Sequence, residues 1–278
     1  MPRIRVSTGI ELDYEEHGSG PPLLLNGGLG WRWVWYKNLP WLARHFRVIA
    51  LDSRGLGDSD KPRGPYDVNT MATEAADVIL ALGLGRTHLM GLSLGCDIAV
   101  ELALSYPWLA GALVLIGSRA GGAAQVYSPP AVLARMTPSP YLTPAANLTK
   151  SMPVAFSPGW LERHPSAAQM MGLMSAKKPT PDHARLALMW AGGTWQGLGL
   201  RGPELRTPVL LCHGTADQLM PVANAVRLAA MLPMARLALF PGAGHACQIE
   251  QPPAFNAIAT QFLLDASYQA RFLSAREL

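Results

Sequence analysis

Three residues far apart in the chain carry the types and settings that nucleophilic acyl transfer requires: Ser93, Asp217 and His245. Ser93 is the centre of Gly91-Leu92-Ser93-Leu94-Gly95. A G-x-S-x-G pentad arises by chance about 0.1 to 0.2 times in a chain of this length and composition, so its flanks decide its meaning. Here they are the apolar run Thr87–Met90 and a second apolar stretch from Leu94 to Tyr106, which predict a buried strand turning sharply into a buried helix. Small residues two positions either side of the tip let the backbones pass, and the turn lifts the hydroxyl out at the strand's carboxyl end, over a helix N-terminus. A hydroxyl is a poor nucleophile until a base takes its proton. The candidate base is His245, which closes the Gly-rich segment Pro241-Gly242-Ala243-Gly244-His245 after the last apolar run. His213 competes from the end of the run Val209–Cys212, a structural position; His17, His45, His88, His164 and His183 lie in segments with no reason to reach Ser93. The imidazole in turn needs an acid to fix its tautomer and stabilise its charged form. Asp217, five residues after Val209–Cys212, falls on a loop at the same edge. Asp97 and Glu101, on the helix after the pentad, are expected to be solvated or capping, and Asp182 lies in a separate stretch.

A tetrahedral intermediate also needs donors for its oxyanion. The Leu94 N–H, first on the helix after Ser93, is one. The second is expected from Asn26-Gly27-Gly28-Leu29-Gly30, whose glycines allow close backbone approach, and Gly28 N–H is the choice.

The elements that must position these residues follow from periodicity. Ile4 to Tyr14 alternates around Thr8-Gly9 and predicts a hairpin. Six short apolar runs follow, at Leu23–Leu25, Val48–Leu51, His88–Met90, Leu113–Ile116, Val209–Cys212 and Leu237–Phe240, the pattern of strands buried on both faces. Helical stretches separate them: Thr70–Leu82 with Asn69 or Thr70 as N-cap, Leu94–Tyr106, Val222–Leu232 and Pro253–Phe262. Such alternation predicts an α/β fold with a doubly wound, mostly parallel sheet. It breaks between about Ser118 and Gly202, a stretch holding 10 of the 24 Pro and 6 of the 12 Met, with helical fragments around Ala131–Met136, Ala167–Met174 and Asp182–Trp190. The expected organisation is therefore a core of residues 1–118 and 203–278 carrying a mostly helical cap insertion, 119–202.

With these motifs in place the chain resembles the α/β-hydrolase superfamily, in its serine esterase and lipase-like branch, from about Pro22 to Phe262. The chain order Ser93, Asp217, His245 is that family's order. Asp52-Ser53-Arg54-Gly55-Leu56-Gly57-Asp58-Ser59 resembles its D-x-R-G-x-G-x-S loop, which implies a structural role for Asp52. The resemblance implies an eight-stranded sheet, a cap in the insertion and the triad roles just given. One departure is Asn26-Gly27 where the family has His-Gly, which implies altered loop support with catalysis retained. Asn26-Gly27 and the Pro-rich stretch Pro129–Pro144 are also similar to intracellular polyhydroxyalkanoate depolymerases of the superfamily.

Composition sets limits. The 278 residues are 49% hydrophobic, enough for a large core without disulfide or metal support. Three cysteines, Cys96, Cys212 and Cys247, lack C-x-x-C spacing, which excludes a disulfide scaffold or zinc ribbon and favours a reducing compartment; each is expected to pack as a small apolar residue. The net charge of +4 comes from scattered residues, with Lys177-Lys178 the one adjacent basic pair, so no nucleic-acid partner is expected. No apolar stretch approaches a bilayer span, so no membrane partner and a cytoplasmic location are expected. No H-E-x-x-H or other paired His spacing calls for a catalytic metal. Gly197-Leu198-Gly199-Leu200-Arg201-Gly202 matches G-x-G-x-x-G but follows no strand run and precedes Pro203, which makes it a poor dinucleotide site; no cofactor is expected.

The expected pocket is formed by Leu29, Trp31, Met152, Leu219 and Ala246; the alternating Trp31, Trp33 and Trp35 either wall its acid side, Trp31 foremost, or staple the following helix to the sheet. The expected activity is hydrolysis of a small to medium apolar acyl or aryl ester, or a lactone, through an acyl-enzyme. The alternatives are carbon–carbon bond hydrolysis, perhydrolase or haloperoxidase chemistry, polyester depolymerisation, and a low-turnover ligand receptor on the same scaffold. The carbon–carbon branch typically has Trp after its catalytic His, where this chain has Ala246. The partner is a small-molecule ester, and the sequence leaves room for a homo-oligomer.

Overall fold

The computed structural model describes the backbone of residues 2–276 and their side chains except at 144, 145, 175 and 268–276. The ends of the expected core segments, Met1 and residues 277 and 278, lie outside the described residues. Eight strands form one sheet: β1 (Arg3–Arg5), β2 (Glu11–His17), β3 (Pro22–Asn26), β4 (Arg47–Leu51), β5 (Thr87–Leu92), β6 (Ala110–Ile116), β7 (Val209–Gly214) and β8 (Ala235–Phe240). Their spatial order is β1-β2-β4-β3-β5-β6-β7-β8. β1 and β2 pair antiparallel, as does β2 with β4; every other pair is parallel. Eleven α-helical segments are described: α1 (Leu39–Leu42), α2 (Val68–Ala81), α3 (Leu94–Ser105), α4 (Pro130–Met136), α5 (Pro144–Ser151), α6 (Trp160–Arg163), α7 (Pro165–Lys177), α8 (Asp182–Thr194), α9 (Ala223–Met231), α10 (Cys247–Glu250) and α11 (Pro252–Arg276). All five helices α4 to α8 fall between β6 and β7, where no strand occurs among the described residues. This is the doubly wound α/β sheet with a helical insertion that the periodicity predicts.

The parallel strands read as continuous apolar runs because alternate residues enter two separate cores. Leu24, Ile49, Leu89, Leu113, Leu115 and Leu211 pack with α2 and α3 on one face. Leu23, Leu25, Val48, Met90, Val114 and Leu210 pack with Trp35, Phe46, Phe255 and Phe262 on the other. β8 departs from this: Leu237 and Leu239 are 36% and 45% exposed, while Ala238 and Phe240 on the opposite face join the second core. As the last strand it has one neighbour and a half-covered face, so its apolar run does not mean burial on both sides. α2 begins earlier than Asn69 or Thr70, with Asp67 as its N-cap accepting from Thr70 N at 2.8 Å. α11 continues to Arg276, well past Phe262.

The topology fixes where chemistry can sit. β3 is followed in the chain by its neighbour on one side, β4, and β5 lies on its other side. The strand order reverses there, leaving a crevice at the carboxyl ends of β3 and β5. The loops bearing Gly28 and Ser93 both open into it.

Candidate active site

Ser93 links β5 to α3 with φ 56° and ψ −121° and is the sole non-glycine residue with positive φ among the described residues. Holding a residue there costs on the order of 1–3 kcal/mol, and the neighbouring glycines make it feasible. A Cβ on Gly91 would lie 2.3 Å from the Gly95 carbonyl oxygen, and one on Gly95 would lie 2.3 Å from the Asn26 carbonyl oxygen. Ser93 N–H donates to the Ile116 carbonyl at 2.9 Å, so the adjacent strand also pins the elbow.

His245 follows β8 through a tight loop, and Asp217 follows β7. His245 Nδ1 and Asp217 Oδ2 are 2.8 Å apart, both residues nearly buried. The other carboxylate oxygen accepts from Leu219 N and Met220 N, each at 2.8 Å. Burial alone would push the Asp217 carboxyl up; the neighbouring His245 imidazole and the hydrogen bonds from His213 and His245 outweigh it and hold the group well below the ordinary carboxylate range. An ionised acid at Nδ1 puts the proton there and leaves Nε2 with a free lone pair. Nε2 is buried with no hydrogen-bond partner among the described residues, and His245 and Ser93 line one chamber.

His213 does not compete for the base role. It is fully buried, with Nε2 2.7 Å from the Met220 carbonyl and 3.3 Å from Asp217 Oδ2, and it buttresses the acid. Asp97 and Glu101, expected in solvent, are 1% and 3% exposed. Asp97 pairs with Arg119 at 2.7 Å and Glu101 with Arg201 at 2.9 Å. The two arginines lie at the two ends of the helical insertion, which is thereby latched to α3, the helix after Ser93. Asp52 accepts from Arg32 N at 2.8 Å and Arg32 Nη1 at 2.6 Å and orders its loop. Gly197–Gly202 follows α8, runs into a 3-10 turn and packs on Ala120 and Gly121, with no strand leading into it.

Gly28 has φ 67°, and a Cβ there would lie 2.3 Å from the Leu92 carbonyl oxygen and 3.2 Å from Leu94 N. Its backbone therefore rests on the elbow, beside the first amide of α3. Its N–H donates to Asn26 Oδ1 at 3.2 Å, while Asn26 Nδ2 donates to Ser53 Oγ at 2.8 Å. Asn26 thus ties the oxyanion loop to the Asp52–Ser59 loop, and the Gly28 donor has an internal partner.

The crevice divides in two. An inner chamber of about 140 Å³ contains Ser93 and His245, with Leu29, Met152, Leu219 and Ala246 on its walls. An outer chamber of about 380 Å³ shares Leu29, Trp33 and Met152 with it. Trp31 borders only the outer chamber, under the Lys178 ammonium; the indole beside Ser93 is Trp33, and Trp35 is wholly buried in the second core. The alternating tryptophans thus point in three directions, because the segment Arg32–Trp35 is a 3-10 turn and not a strand. Of the insertion's methionines, Met171 packs with Phe156, Trp160, Ala246 and Ile249, whereas Met136, which no periodicity singled out, reaches the inner wall.

Three features escape sequence reasoning. Gly117 (φ 58°) leaves the imidazole its space: a Cβ there would lie 2.5 Å from His245 Nδ1 and Cε1. Glu250 accepts from Gly244 N at 2.9 Å, Ser157 N at 2.8 Å and Ser157 Oγ at 2.6 Å, and Ala246 N donates to the Ala155 carbonyl at 2.8 Å, so the segment 155–157 is stitched to the loop carrying His245. Arg185, on α8, lines both chambers, so the lining is less apolar than expected. Among the described residues no group of three or more His, Cys, Asp or Glu is placed to hold a metal, and no helix is long and apolar enough to cross a membrane.

The profile of the family described as alpha/beta hydrolase fold matches residues 21–252. A 2-hydroxy-6-oxononadienedioate/2-hydroxy-6-oxononatrienedioate hydrolase of Burkholderia vietnamiensis is 30% identical over 262 residues, 92% of this chain and 88% of its own. The enol-lactonase of Burkholderia xenovorans LB400 superposes with a TM-score of 0.84 at 25% identity, over 95% of this chain and 100% of the other. A thermophilic esterase of Thermogutta terrifontis does so with a TM-score of 0.80 at 25% identity, over 96% and 99%. Hydrolysis is the chemistry these relatives share by name, and with the elbow, the sheet order and the matched profile in agreement, the chain belongs to the α/β-hydrolase family.

Proposed function

We propose that the protein is a serine hydrolase of carboxylic esters or lactones, with Ser93 as nucleophile, His245 as base and Asp217 as its orienting acid. The observation that carries this reading is the Asp217–His245 bond of 2.8 Å, with the unpartnered Nε2 in the chamber that holds Ser93. Ser93 Oγ attacks the carbonyl carbon as Nε2 takes its proton, forming a tetrahedral intermediate; the imidazolium then protonates the leaving oxygen. Water, deprotonated by the same nitrogen, attacks the acyl-enzyme and releases the acid. The oxyanion is received by the Leu94 and Gly28 amides. Gly28 N–H exchanges its Asn26 Oδ1 partner for the charged oxygen, which it binds about twice as strongly as a neutral acceptor. Residues 119–202 act as the cap that walls the chamber. The reaction draws on no metal or cofactor.

Carbon–carbon bond hydrolysis is the second reading, favoured by the Burkholderia vietnamiensis relative and opposed by Ala246 after the base. The test is steady-state turnover of p-nitrophenyl esters and lactones beside a diketone. Ser93→Ala is expected to lower ester turnover by at least about 10³-fold with the fold intact. Wild-type rates in that variant overturn the triad, and turnover confined to the diketone overturns the ester reading.

A further inference from the structure

Arg185 is a charged side chain in the site that the triad does not use and that the insertion's own contacts satisfy only in part. It projects from α8 into the chamber holding Ser93 and also borders the outer chamber. Its Nε is buried without a hydrogen-bond partner among the described residues, and Nη2 has only neutral partners, Ser151 Oγ at 2.9 Å and the Met136 carbonyl at 3.5 Å. Among the described residues the other buried or half-buried arginines are neutralised by carboxylates: Arg32 by Asp52, Arg47 by Glu16, Arg54 by Glu74, Arg119 by Asp97 and Arg201 by Glu101. The outer chamber's lysine, Lys178, is neutralised by Asp58. Asp182, one turn earlier on α8, acts on Arg185 through space without contact. Burial lowers the Arg185 pKa but cannot deprotonate a guanidinium at working pH. A half-buried, permanently charged fork whose Nε–H is buried and unused is costly unless an anion completes it.

We propose that Arg185 is an anion-binding subsite and that the substrate is an ester or lactone carrying a carboxylate on its acyl part. The Nε–H and the Nη2–H beside it take the two carboxylate oxygens side by side, the carboxylate replacing the 3.5 Å bond to the Met136 carbonyl. The neutral Ser151 hydroxyl keeps its bond and holds the fork without quenching its charge. The apolar walls formed by Leu29, Trp33 and Met152 take the chain between carboxylate and reacting carbonyl. This assignment narrows the sequence-based expectation of an uncharged substrate, and it rests on the serine-hydrolase reading for the reaction but not for the binding.

Two probes of like length test it, the mono-p-nitrophenyl ester of glutaric acid and p-nitrophenyl pentanoate. Arg185→Met is expected to lower the ratio of kcat/KM for the anionic over the neutral ester by about 10- to 100-fold, and Arg185→Lys to restore part of it. An unchanged ratio in a folded Arg185→Met overturns the subsite. If that variant does not fold, inhibition of the wild type decides: glutarate competes and the neutral glutaramide does not, whereas equal inhibition by the two overturns the proposal. Calorimetric titration of Ser93→Ala with glutarate separates the two readings. Binding there supports the subsite even if ester turnover proves independent of Ser93, and absence of binding overturns it even if the triad stands.

Discussion

Gly117→Ala tests the placement of the base without altering any reacting group. The added Cβ would lie 2.5 Å from His245 Nδ1 and Cε1 and 3.3 Å from Nε2. Non-bonded carbons rest at about 3.5–4.0 Å, so the ring must retreat by about 1 Å. That retreat stretches the 2.8 Å bond to Asp217 beyond hydrogen-bond range and turns Nε2 away from the elbow. A displacement of about 1 Å at a reacting group costs on the order of 10²-fold in rate. The backbone adds a separate penalty, because Ala at φ 58° costs about 1–2 kcal/mol of stability. Gly83→Ala separates the two effects. Gly83 has the same φ of 58°, and a Cβ there meets nothing within 4 Å. Denaturant unfolding is expected to show the backbone penalty in both variants, with a further loss in Gly117→Ala from the displaced buried ring, while kcat/KM on a p-nitrophenyl ester falls about 10²-fold only in Gly117→Ala. Equal rates in the two variants would refute the claim that an empty position at 117 sets the imidazole.

Two further perturbations probe the frame around the site. His88 is pushed down to about 4, by burial first and by the Arg86 charge second. Its unfolded value is about 6.5, so the unfolded chain takes up the proton first and stability falls as pH drops from about 6.5 to 4, by about 2 kcal/mol between pH 7 and pH 5. Denaturant unfolding at the two pH values is expected to show that much less acid sensitivity in His88→Leu, and an unchanged difference would assign it to other groups. Glu250→Ala is expected to lower kcat by about tenfold through a loosened base loop. It also leaves Gly244 N and Ser157 N unpaired, at about 1–3 kcal/mol each, so calorimetry should record a lower Tm; an unaltered kcat would uncouple Glu250 from the base.

The core was legible because its physics is local. Leu23–Leu25, Val48–Leu51 and Val209–Cys212 are apolar at every position because both sheet faces are covered, and each names its strand in the sequence. The positions of Asp217 and His245 follow from counting forward from such strands. What escaped depends on contacts between distant segments. Asp97 and Glu101 read as solvated or capping until Arg119 and Arg201 arrive from the two ends of the insertion. Gly117 looks like any glycine ending a strand, since its meaning lies 128 residues away in the His245 ring. Arg185 adjoins the buried face of its helix, Ala184, Ala187, Leu188 and Ala191, and periodicity names that face without saying which cavity a neighbouring side chain enters. Trp31 and Trp33 were separable only once their segment proved to be a turn.

The stitching of 155–157 onto the loop of His245 restricts how reactants come and go. Any swing of the cap that peeled Phe156 and Ser157 outward would break the Glu250 and Ala246 bonds and drag the imidazole off its aspartate. That side is a hinge post, not a doorway. The outer chamber, past Leu29, Trp31 and Thr143, is lined by none of the residues that make these bonds, so on the proposed mechanism a reactant can pass there with the imidazole still on its aspartate.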